Sequence, residues 1–160
     1  MNEVLSKQVC TAAYAQDMVR LKFGSHSVLM YYQTAFEIAA GVLSASKQAG
    51  QYEGVHPSRW SEYVNMVPQT PMEPLSLFYR RGDHPSNFTS WSVAFERNLV
   101  VFTFDQTIIK MHFGNAFEMY GLIRLAGKNA KNWAGDTSRQ WTTKATLTDA
   151  EQNDKYVYVN

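Results

Sequence analysis

The chain is poor in several things, and each lack excludes something. A single cysteine, Cys10, among 160 residues rules out an internal disulfide. It falls in a stretch with strand-like alternation, where a small buried thiol is the expected role. No run of 18 apolar residues occurs, so no spanning helix is expected. The start MNEVLSKQV lacks the basic head and apolar stretch of a secretory leader, which points to a cytoplasmic setting and no membrane partner. Without a leader, the glycosylation triplet Asn87-Phe88-Thr89 reads as incidental. An excess of one charge is missing too: 15 Lys and Arg stand against 14 Asp and Glu, a net charge of +1. Any contact with nucleic acid must therefore come from local placement of basic groups, not from bulk charge.

Catalytic signatures are equally scarce. There is no G-x-S-x-G, no P-loop and no G-x-G-x-x-G, and Cys10 has no activating neighbour. The four histidines, His26, His56, His84 and His112, show no metal-ligand spacing, so neither a metal nor a small-molecule cofactor is expected. A non-enzymatic protein is the expected class.

Proline is confined to one place. All five prolines lie between Pro57 and Pro85. Proline removes a backbone donor and breaks helix and central strand alike, so this clustering marks an irregular linker between two regular units.

Those units are copies. Residues 18–55 align without a gap on residues 99–136, at an offset of 81, with ten identities in 38 positions. Unrelated segments of ordinary composition would match at about two. The most conspicuous match is Ala35-Phe36-Glu37 on Ala116-Phe117-Glu118. A fixed-period self-match means one supersecondary unit used twice. The expected organisation is one domain over 1–160: repeat 1 at 7–55, a Pro-rich linker at 56–74, repeat 2 at 75–136 and a tail at 137–160.

Within each copy, side-chain alternation draws a three-stranded antiparallel meander. Two-residue loops at Gln16-Asp17 and Arg97-Asn98 bring Tyr14 to Val19 and Phe95 to Val100, with Asp and Asn suited to the positive φ of such turns. The next turn is read the same way, pairing Phe23 with Val28 and Leu21 with Met30, and Phe104 with Ile109 and Phe102 with Met111. A helix follows each meander. Thr34 to Glu37 and Asn115 to Glu118 fit a capping box, which makes Glu37 and Glu118 structural. Ala35, Ile38, Val42, Ala45 and Ala49 form a buried stripe, matched by Ala116, Met119, Ile123, Ala126 and Ala130. Leu75–Arg81 reads as a further strand ahead of the second meander, and Gln140–Leu147 and Lys155–Val159 as strands in the tail, the last of which, around Tyr156, would give the first unit a fourth strand. The fold class is α+β: a β-meander plus helix, duplicated about a pseudo-twofold axis, with a C-terminal β tail.

The outward faces of the two meanders differ. The first carries Val9, Thr11, Ala13, Arg20, Lys22, Ser27, Leu29 and Tyr31; the second carries Ser92, Ala94, Leu99, Val101, Thr103, Ile108, Lys110 and His112. The second is too apolar for a solvated face and implies cover by the tail or by a second copy, hence a homo-oligomer. Arg20, Lys22, Tyr31 and Lys110 are candidates for tracking a strand of nucleic acid. In the linker, Arg59, Trp60, Tyr79, Arg80 and Arg81 interleave rings with cations, the side chains that stack on bases and neutralise phosphates.

Two sheet-then-helix units forming a pseudo-dimer in one chain resemble the Pur-repeat and Whirly group of single-stranded nucleic-acid-binding proteins. The most similar stretches are Ser27–Leu43 and Ile108–Ile123, where a last strand runs through Met30 or Met111 into a helix opened by Ala-Phe-Glu. The resemblance implies a partner, single-stranded DNA or RNA, with DNA favoured. The alternative is a protein-partner module, a small inhibitor or adaptor of the kind phages and mobile elements carry.

Overall fold

The computed structural model describes residues 2–4, 10–64, 72 and 87–135. The duplication holds at every boundary of the two meanders and the two long helices. Strands β2 (Cys10–Ala15), β3 (Met18–Phe23) and β4 (His26–Tyr31) lead into helix α1 (Tyr32–Tyr52). After a single 3-10 turn (Pro57–Arg59) and the short helix α2 (Trp60–Val64), strands β5 (Trp91–Glu96), β6 (Leu99–Phe104) and β7 (Thr107–His112) lead into α3 (Phe113–Trp133). Each strand and long helix of the second unit starts and ends 81 residues after its counterpart in the first.

Both sheets are antiparallel meanders, β2-β3-β4 and β7-β6-β5. The first hairpin of each unit has the expected register, Tyr14 with Val19 and Phe95 with Val100. The second differs from expectation by two residues: Leu21 pairs with Val28 and Val19 with Met30, as Phe102 does with Ile109 and Val100 with Met111. The turn falls one residue earlier than alternation alone suggests, because Gly24 (φ +64°) and Asp105 (φ +55°) supply the left-handed residue that opens a two-residue loop. A shift of two preserves parity, so the facing of every side chain is as expected. In the first turns the left-handed residues are Gln16 and Arg97, not their Asp and Asn neighbours.

The helices begin before the expected caps. Tyr31 and His112 are the N-caps, so Thr34 and Asn115 are already helical and neither copy has the capping box. His112 caps α3 instead, its Nδ1 accepting from Gly114 N at 3.1 Å. The expected stripes hold, with all ten of their residues buried.

The helices cross over between units. α1 and α3 pack on each other, while α1 also lies against β5 and α3 against β2. The contacts are reciprocal, as two copies about a twofold would make them. A Cβ added at Gly41 of α1 would stand 3.4 Å from Val93 Cβ, which shows how closely helix and sheet approach. The inner faces of the two sheets also meet: Phe23 lies 5.1 Å from Phe102 and 5.8 Å from Phe104, ring centre to ring centre. Neither unit encloses its own apolar face, so one core serves both. Phe117 is wholly buried there, but its counterpart Phe36 is only half-buried, against Gly127 and Tyr32.

Three short elements were not foreseen. The segment after Val55 is not wholly irregular: His56 Nδ1 caps a 3-10 turn opened by Pro57, and α2 follows. A strand at the amino terminus, β1 (Asn2–Val4), adds to the second sheet and not the first, parallel to β7 with Glu3 opposite Ile109. The strands read at Leu75–Arg81, Gln140–Leu147 and Lys155–Val159 lie outside the described residues. Among the described residues, no helix is long and apolar enough to cross a membrane.

Candidate nucleic-acid interface

The basic residues of the first sheet sit on its middle strand. Alternation along β3 turns Val19, Leu21 and Phe23 into the core and leaves Arg20 and Lys22 on the outer face, about 7 Å apart as i and i+2. Their cross-strand neighbours are small or uncharged: Ala13 and Leu29 flank Arg20, and Thr11 and Ser27 flank Lys22. Among the described residues, neither cation pairs with a carboxylate. Arg20 Nε is buried and bonded to nothing. A buried donor without an acceptor is costly. Tyr31, 43% exposed, stands on the same face one row beyond Arg20.

The second sheet presents something else in the same place. By the repeat, Val101 and Thr103 replace Arg20 and Lys22. Lys110 is engaged by Glu96 at 3.0 Å, and that contact holds the Glu96 carboxyl below the usual range. Lys110 thus lies on the other sheet from Arg20 and Lys22, with its charge already matched. Around it Leu99, Val101 and Ile108 are half-buried and Ala94 is exposed.

The linker candidates do not join the face of the first sheet. Arg59 pairs with Glu62 at 3.2 Å and lies over the Tyr63 ring. Trp60 turns inward, 5.8 Å from Phe117, while Tyr63 stacks 4.9 Å from the same ring. Together they pin α2 to α3. Tyr31 precedes α1 and Arg59 follows it, so about 30 Å of helix separates them. Tyr79, Arg80 and Arg81 lie outside the described residues.

Two polar groups passed over in the sequence tie the units together. Asn87 joins the first sheet from beyond the linker: its Nδ2 donates to Ser27 O, and its Oδ1 accepts from Leu29 N, both at 3.0 Å. Glu53, just past the end of α1, accepts from Asn98 Nδ2 at 2.6 Å and approaches His112 Nε2 at 4.0 Å. Because His112 Nδ1 accepts from Gly114 N, Nε2 is the ring nitrogen turned towards Glu53. Nothing in local sequence marks these contacts, since each partner is 45 to 60 residues away.

Burial pushes the Cys10 thiol up from its ordinary value, which keeps it protonated and unreactive. Among the described residues, no three His, Cys, Asp or Glu side chains gather as metal ligands would. Comparison with protein-family models, with curated proteins and with solved structures finds no match to this chain.

Proposed function

We propose that the protein binds single-stranded nucleic acid, DNA in preference to RNA, with little regard for base sequence, through the outer face of the first sheet. The observation that carries this reading is the pair Arg20 and Lys22, side by side on the outer face of β3, with no carboxylate paired to either among the described residues. Tyr31 supplies a ring for stacking, worth about 1–3 kcal/mol per base. The duplicated meander-plus-helix plan, resembling the Pur-repeat and Whirly group, supports the same class of ligand. The reading calls for no metal, cofactor or catalytic group. The apolar outer face of the second sheet is assigned to self-association of the chain.

Fluorescence anisotropy with labelled oligo-dT and a matched duplex, at two salt concentrations, tests the reading. Two phosphate contacts give a slope of log K against log salt of about −1.4. Arg20→Ala or Lys22→Ala should each flatten that slope by about 0.7 and weaken all sequences alike. A preference for duplex, or no binding of oligo-dT at tens of micromolar, would sink the proposal.

A further inference from the structure

The two sheets differ at one edge. On β7 that edge carries β1, a parallel strand whose Glu3 stands opposite Ile109 and between Ile108 and Lys110. The same edge exists on β4, where the repeat places Ser27, Val28 and Leu29 at the positions of Ile108, Ile109 and Lys110. Among the described residues no strand lies beyond β4. One side chain stands there instead. The carboxamide of Asn87 gives its N–H to Ser27 O and takes the N–H of Leu29. One residue of a parallel strand makes the same two contacts on an edge, through its own N–H and C=O. Asn87 thus occupies, with a side chain, the position that Glu3 occupies in the other sheet with backbone.

We propose that the edge of β4 is a docking site for an extended, acidic segment of a protein partner, which adds as a fourth strand parallel to β4 and displaces the Asn87 carboxamide. The duplication supplies the orientation, because the equivalent edge already holds a parallel strand. It also supplies the pattern of side chains. The residue taking Asn87's place lies opposite Val28, which faces the core, so it must be apolar. Its two neighbours lie opposite Ser27 and Leu29 and project onto the outer face. There Lys22 is the next residue in from Ser27 and Arg20 the next in from Leu29, neither paired with a carboxylate among the described residues. Carboxylates on the neighbours complement them, which gives acidic, apolar, acidic. The chain's own basic segment, Leu75 to Arg81, would bring like charge to that face and suits it poorly. Main-chain pairing provides the affinity and the alternating side chains the choice of partner, as in other cases of strand addition.

The probe is a capped, fluorescent heptapeptide alternating Asp and Val, titrated against the full chain by anisotropy. Only amides of the Val residues would donate to β4, so methylating those nitrogens should weaken binding about tenfold, while methylating the Asp nitrogens should leave it within about threefold. Replacing Asp by Lys should also cost at least about tenfold. Asn87→Ala removes the competing side chain and should tighten binding about fivefold, with the Leu29 amide becoming protected from hydrogen exchange only when peptide is added. Equal binding by both methylated peptides would reduce the contact to surface charge and overturn the proposal, as would no binding at about 1 mM. Protection of Leu29 in Asn87→Ala without peptide, and no gain in affinity, would hand the edge to a segment of the chain itself, residues 75–81 or the tail, and overturn it as well. Oligo-dT binding is read separately, so loss of the nucleic-acid reading would leave the response to amide methylation standing.

Discussion

Small differences between aligned residues decide how the two copies behave. Ser46 and Gly127 are equivalent by the repeat, and both are buried in their helices. Gly127 admits the ring of Phe36, since an added Cβ would come within 2.9 Å of it. Ser46 keeps a hydroxyl that bonds to nothing. An unsatisfied buried hydroxyl costs about 1–3 kcal/mol, so Ser46→Ala should stabilise the fold by about 1 kcal/mol, read as a higher urea midpoint with unchanged m. Asp105 has the opposite character. Its Oδ1 accepts from the backbone and hydroxyl of both Thr89 and Ser90, and these bonds hold its carboxyl below the ordinary value of 3.8. A depressed folded-state value adds stability above pH 3.8, which is lost as pH falls through the folded value. Asp105→Asn should therefore be less stable than the parent at neutral pH, and the gap should close below pH 4. A gap that is constant with pH would show that the charge is not what Thr89 and Ser90 hold.

At the scale of elements, α2 shows how a short helix persists without propensity of its own. Five residues cannot sustain an isolated helix in water. It is held because Trp60 fits over Gly50, where an added Cβ would lie 3.0 Å from the indole, and because Tyr63 stacks on Phe117. Read from sequence alone, Trp60 belongs with the arginines as a ring for stacking on bases. The structure places it against α1 and α3. Trp60→Ala should accordingly cost about 2–4 kcal/mol of stability, measured by denaturant unfolding. If stability is unchanged while oligo-dT affinity falls, the indole is a ligand contact after all.

For the whole molecule, duplication builds a shared core and then lets the outer faces diverge. Inner positions remain apolar in both copies because each helix must pack on the other copy's sheet. Outer positions carry no such obligation, and Arg20 and Lys22 in one copy stand where Val101 and Thr103 stand in the other. An apolar face of that kind on a chain assigned to self-association has a direct check: sedimentation velocity should show a species larger than the 18.2 kDa monomer. Val101→Lys, placing a charge in the middle of the face, should shift the population towards monomer. A monomer at all concentrations would remove the assignment.

Much of this architecture was legible in the sequence, because alternation and helical periodicity are local consequences of backbone geometry. The facing of the six meander strands, the first hairpin registers and both helical stripes needed only residues close together in the chain, and the repeat needed only a comparison of the chain with itself. The second hairpin slipped by two because parity reveals which face a residue takes but not which residue opens the turn. Gly24 and Asp105 settled that through a backbone conformation that alternation does not encode. The helix caps moved for a similar reason, since the helices start directly from the strand ends at Tyr31 and His112. The rest was decided by tertiary contact. β1 has three residues and no period to read, and it is a strand only because β7 offers an open edge. Trp60, Asn87 and Glu53 take their roles from partners on other elements, at distances along the chain where sequence carries no trace of proximity. What the sequence by itself determined is the pair of units and the face each residue takes. The tertiary structure alone decided which unit's helix covers which sheet, and which basic residues remain unmatched at the surface, because both depend on groups brought together only when the two copies pack.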